Sequence, residues 1–130
     1  MNTTTITLAG KDYPVALNLN LVMKIEERGE TLGSMLDKIS ELSVTDSVWM
    51  LSAMMTAAKE LDNYRRSKGL EPICDEDFEP LSVEDIQNEF TYVNYMEDMF
   101  TKLQVAMTAL LKPTVEVKPS KKGRAATQGE

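Results

Sequence analysis

Thr3-Thr4-Thr5-Ile6-Thr7-Leu8-Ala9-Gly10-Lys11-Asp12-Tyr13-Pro14-Val15-Ala16-Leu17 is the stretch on which the fold turns. Its first half alternates, with Thr4, Ile6 and Leu8 on one face and Thr5 and Thr7 on the other. Ala9-Gly10-Lys11-Asp12 is turn-like, and Tyr13, Val15 and Leu17 make a second period-two face. Two β-rich runs joined by a short Gly-bearing loop predict a β-hairpin over 3–17. Pro14 lacks a backbone donor and suits an edge position. A lone hairpin is marginal in water, so it must pack on the rest of the chain.

The residues after the hairpin are helical in period. Asn18 or Asn20 is placed to cap a helix over about 20–28, with Leu21, Val22 and Ile25 inward and Gly29 as its stop. Thr31 restarts a helix over 32–42, where Met35, Leu36, Ile39 and Leu42 recur at helical spacing. Ser43 or Thr45 caps the next, over 45–67, with Asp46 favourable in its first turn. This third helix is apolar on two adjoining stripes: Val44, Val48, Leu51, Met55 and Ala58 on one, Met50, Met54, Ala57, Leu61 and Tyr64 on the other. So wide an apolar arc predicts the central core element. Residues 69–80 read as a loop. Ser82 then opens one long helix over 83–111, with Ile86, Val93, Met96, Phe100, Leu103, Met107 and Leu110 in line and Lys112-Pro113 ending it.

The fold class expected is therefore α+β, mostly α: an N-terminal hairpin and four helices packed as a small bundle. Residues 1–111 form a single domain in this reading. Residues 112–130 lack apolar periodicity and have the composition of a disordered, basic tail.

The chain has 130 residues and a formal charge of −7, with no histidine and one cysteine. Without His there is no Ser–His or Cys–His pair and no His-containing zinc site; one Cys makes neither a Cys₄ site nor an internal disulfide. No pair of carboxylates stands out for acid–base work. The protein is expected not to be an enzyme and to need no cofactor or metal. The charge divides into −10 over residues 1–111 and +3 over 112–130. An acidic body repels phosphate, which argues against nucleic acid as a partner. Met1–Thr5 lacks the basic and apolar regions of a secretory signal, and Val48–Ala58 falls well short of the ~20 residues of a membrane span. A soluble, cytosolic protein with no membrane partner is expected.

Four features invite functional readings. Asp75-Glu76-Asp77-Phe78-Glu79 starts like a calcium loop, but Pro80 and Ile86 occupy the positions that need Gly and Glu. A solvated acidic loop is the plainer reading, although eight acids and no base over 71–89 make a negative patch for a basic partner. Cys74 sits among acids, which disfavours its thiolate, and reads as an inert thiol. Gly29 and Gly33 read as helix punctuation. Nine methionines in all suit either a Met-rich core or an adaptable binding face. The candidate partner-binding residues are Trp49, Met50, Met54 and Met55 on the third helix, and Met96, Met99, Phe100 and Met107 on the fourth.

The order of elements carries a resemblance. Thr5-Ile6-Thr7-Leu8-Ala9-Gly10-Lys11-Asp12-Tyr13 resembles the opening hairpin of phage tail assembly chaperones. Leu21-Val22-Met23-Lys24-Ile25-Glu26-Glu27-Arg28-Gly29, Thr31-Leu32-Gly33-Ser34-Met35-Leu36 and Leu42-Ser43-Val44-Thr45-Asp46 are similar to the next three segments of that family, in order. The likeness covers 5–60 well and 81–111 in outline; the Gly29-Glu30-Thr31 spacing and the residues over 62–80 depart from the pattern. It implies a non-enzymatic protein of siphophage tail building, which binds the tape measure protein and helps recruit tail tube subunits. It also implies a place in the infected host cell's cytoplasm, absence from the finished virion and self-association. A programmed frameshift near Lys121-Lys122, giving a longer product, is a further expectation. Two other classes fit the composition: a structural tail or connector component, and an acidic inhibitor of a basic target.

Overall fold

The hairpin turns through Ala9 and Gly10, both at positive φ (52° and 77°), which matches the twist of the strands on either side. In the computed structural model, which describes residues 3–112, β1 spans Thr3–Leu8 and β2 spans Lys11–Ala16. They pair antiparallel with Ile6 opposite Tyr13 and Thr5 opposite Pro14. A two-stranded sheet has only edges, so Pro14 forfeits no interior ladder bond. Ile6, Leu8, Tyr13 and Val15 are buried, so one face of the hairpin is part of the core.

Helix α1 (Leu19–Glu27) is capped by Asn18, whose side chain accepts from the Leu21 N–H at 3.1 Å. Gly29, at φ 83°, stops it. Helix α2 (Leu32–Ser40) opens with a reciprocal capping box between Thr31 and Ser34. It ends two residues short of the predicted 42. Leu42 adopts a left-handed conformation (φ 67°) while the Ser43 N–H returns to the Lys38 carbonyl at 3.0 Å. That six-to-one closure terminates a helix, usually on glycine, so Leu42 is no longer on the α2 face.

Helix α3 (Val44–Ser67) begins at Ser43 and is the central element: β2, α1, α2 and the elements after it all pack on it. Met50, Leu51, Met54, Met55, Ala57 and Ala58 are buried on its two stripes. Beyond the loop, α4 is Val83–Glu89, with a capping box between Ser82 and Asp85.

Here the structure departs from the sequence expectation. The single helix expected over 83–111 is broken. Phe90 leaves α4 with extended dihedrals (φ −118°, ψ 145°), and Thr91 starts a new helix through a capping box with Asn94. This last helix, α5, consists of Tyr92–Asn94, a π-helical stretch Tyr95–Met99, and Phe100–Leu110. The break resets the helical phase and the π stretch shifts it again. Val93 and Met96 therefore leave the predicted stripe and are exposed, while Tyr95, Met99, Leu103, Met107 and Leu110 turn inward. The fold is α+β and mostly α, with a hairpin and five helices rather than four. The tail expected over 112–130 lies outside the described residues except for Lys112. No described helix is long and apolar enough to cross a membrane.

Candidate functional site

The broken helix builds the most suggestive concavity. Because the chain runs extended through Phe90 and Thr91, α4 and α5 diverge beside the first turns of α3. An open, mostly apolar groove of about 220 Å³ is lined by Val44, Val48, Ile86, Phe90, Tyr92, Tyr95 and Met99, with Gln87 and Thr91 as its polar members. Its rim is apolar and wet: Tyr92 is 67% exposed and Val44 40%. Tyr92 and Tyr95 stack with ring centroids 6.3 Å apart, and Tyr95 meets Phe100 at 6.0 Å. The π-helical stretch thus holds an aromatic ladder beside the groove. Short π segments inside α-helices occur often at functional sites.

A second hollow of about 250 Å³ lies on the other side of Phe90. It shares Phe90 and Met99 with the groove, and is otherwise lined by Leu8, Ala9, Glu89, Asn94 and Asp98. Phe90 is therefore a partition between an apolar chamber and an acidic notch.

The sequence-predicted binding residues do not converge. Met50, Met54, Met55, Met99 and Met107 are all at least 97% buried, and so fill the core instead of presenting a face. Of the two readings of the methionines, these five follow the Met-rich core: an unbranched thioether side chain serves irregular interior gaps as well as surfaces. Trp49 is half-buried under Arg28, whose guanidinium lies 4.2 Å from the ring centroid. Arg28 also reaches Asp46 at 3.7 Å and Glu30 at 3.9 Å, so the indole is roofed by an ion-pair cluster. Phe100 is half-buried against Tyr95, and Met96 is exposed outside the groove. Of the eight, only Met99 touches the groove. Val44, Phe90, Tyr92 and Tyr95 were missed as site residues. The available signal was Thr91 followed three residues later by Asn94, a cap pattern in the middle of the expected helix.

The acidic loop is more ordered than a solvated run of charge. Asp62, on α3 and 1% exposed, accepts from the Ile73 N–H at 3.0 Å and from Arg66 Nε at 2.8 Å. Burial pushes the Asp62 carboxyl up, but these bonds and the nearby cations outweigh it and leave the pKa below the ordinary value. Arg66 donates to the Cys74 carbonyl at 2.8 Å, Arg65 to the Glu71 carbonyl at 2.6 Å, and Ser52 to the Leu81 carbonyl at 2.7 Å. Lys59 pairs with Asp77 and lies 5.1 Å from the Phe78 ring centroid. Helix α3 thus straps the whole loop down. Between the loop and the hairpin turn lies a cleft of mixed polarity, of about 600 Å³, that includes Lys11, Asp12, Cys74, Glu76 and Phe78. Burial raises the Cys74 thiol pKa, and its Sγ donates to the Glu76 carbonyl at 3.0 Å. That is the environment of a protonated, unreactive thiol. Among the described residues, no three His, Cys, Asp or Glu side chains are grouped to hold a metal ion.

The arrangement offers an apolar groove with an acidic neighbour, and an ordered acidic loop on α3. Comparison with protein-family models, with curated proteins and with solved structures finds no match to this chain.

Proposed function

We propose that the protein is a non-enzymatic assembly chaperone of phage tails, which holds the tape measure protein and helps recruit tail tube subunits in the cytoplasm of the infected cell. The observation that carries this reading is the groove at the α4–α5 break. Its apolar walls and exposed Tyr92 and Val44 rim suit the apolar side chains of a long helical client. The ordered resemblance of residues 5–60 to such chaperones supplies the identity of that client. The charge of −10 over residues 1–111 supports solubility while an apolar rim is exposed.

The test is co-expression with a tape measure protein. The chaperone reading expects the client to stay soluble and co-purify, and expects Tyr92→Asp with Val44→Asp to abolish co-purification without unfolding the protein. Undiminished co-purification of the double variant rejects the groove. Recovery of the protein in purified virions, by mass spectrometry, rejects the chaperone role in favour of a structural tail or connector component.

A further inference from the structure

We infer that the groove and the notch beside it form one composite site, which selects a polypeptide segment carrying a large apolar side chain with a Lys or Arg about one helical turn away. The inference rests on the binding role proposed above and adds to it the chemistry of the bound segment.

Three observations converge. The apolar chamber, at about 220 Å³, is below the ~300–1,000 Å³ usual for small-molecule pockets and is of a size for one or two side chains. The notch shares Phe90 and Met99 with it, so the two hollows are adjacent and within reach of one bound segment. Finally, the two charged residues that line these hollows, Glu89 and Asp98, are both acidic. Residues 83–99 contain Glu84, Asp85, Glu89, Glu97 and Asp98 and no Lys or Arg.

The two carboxylates of the notch differ. Asp98 is engaged by Lys102 at 3.1 Å, one turn along α5. Glu89 is exposed and has no ion-pair partner among the described residues. It also lies close enough to the buried Tyr13, with Asp85, for their negative charges to add to burial in raising the Tyr13 pKa. A cation arriving beside Glu89 meets an uncompensated charge at the edge of an apolar surface, where screening is weaker than in open water. An acidic segment in the same place would be repelled. Opposite charge across an interface contributes more to selectivity than to affinity, and that is the role assigned to Glu89.

The experiment uses three fluorescein-labelled, Ala-rich helical peptides of about 20 residues. Each carries the same Leu anchor and, one turn on, Lys, Gln or Glu. Anisotropy titration of the full-length protein at low salt is expected to rank them Lys, Gln, Glu, with about a three- to five-fold step in Kd between neighbours, as for an exposed ion pair. The ranking should collapse at high salt. Glu89→Gln should flatten it and Glu89→Lys should invert it, while Tyr92→Asp weakens all three peptides alike. Equal binding of the three peptides that Tyr92→Asp still weakens overturns the charge selection and leaves the docking groove standing. No binding by any peptide overturns both. A concentration-dependent dimer in sedimentation that Tyr92→Asp dissolves identifies a second copy of the chain as the occupant, and also overturns the inference.

Discussion

Tyr95 donates its phenolic hydrogen to Ser47 Oγ at 2.9 Å in a buried contact that ties the π-helical stretch of α5 to the first turns of α3. Ser47 in turn donates to the Ser43 carbonyl at 2.8 Å, so the relay ends at the N-cap residue of α3. The groove floor is thereby fixed to the start of the central helix by two hydrogen bonds in series.

Removing the donor tests that tie. Tyr95→Phe keeps the ring but leaves Ser47 Oγ without the hydrogen it accepts, at a cost of about 1 kcal/mol. Chemical denaturation should show a lower midpoint with an unchanged slope. An unchanged midpoint means the relay contributes nothing to stability.

Asp62 anchors the acidic loop, and its charge sets a pH dependence. Its folded pKa is depressed, so its contribution is fully present above the unfolded value of about 3.9 and is lost as pH falls through the folded value. Asp62→Ala strands the Ile73 N–H and removes the partner of Arg66, for an expected loss of about 2–3 kcal/mol at neutral pH. Asp62→Asn, which still accepts from Ile73, should cost less. Stability curves of wild type and Asp62→Ala measured from neutral to acid pH should converge at the acid end. Parallel curves refute the assignment.

The methionines divide by position. Met54→Ala empties a fully buried site and should cost about 2–5 kcal/mol, whereas Met96→Ala, on an exposed side chain, should stay within about 0.5 kcal/mol. Comparable thermal shifts for the two would mean that the methionine stripe is not the core described.

Leu42 carries backbone strain. It is half-exposed and left-handed at the end of α2, where glycine has no Cβ to crowd the carbonyl. Leu42→Gly should therefore stabilise the protein by up to about 1 kcal/mol, net of glycine's greater freedom in the unfolded chain. A lower melting temperature instead would show that the contacts of the leucine outweigh the strain.

The hairpin and the first three helices were legible because their signals are local and mutually consistent. Gly10, Asn18, Gly29, Thr31 and Ser43 each act within a few residues of themselves, and each does what its chemistry predicts. The break at Phe90 was not legible from periodicity, since Ile86 and Leu103 both turn inward and make a continuous helix plausible. What decides it is tertiary: α4 packs along α3, while α5 must also reach β1. The burial of the methionines was equally out of reach, because an apolar stripe does not record whether another element covers it. Nothing in the sequence around Asp62 marks it as different from the other carboxylates of the chain. Only the fold of residues 70–81 back onto α3 turns it into a buried acceptor.

Strand β1 is completed long after it is made. β1 packs on α5, where Lys102 donates to the Thr7 carbonyl across 95 positions of chain, while β2 packs on α3. Helices α1 to α3 can associate through short connections, but β1 gains its contacts with α5 only when α5 has been made. Closing so long a loop is entropically slow, and contacts of high sequence separation retard folding. During synthesis the nascent hairpin must therefore wait, with Ile6 and Leu8 incompletely sheltered, until α5 has left the ribosome. Pro14, which has no backbone N–H, makes the β2 edge of that waiting hairpin a poorer template for pairing with another chain.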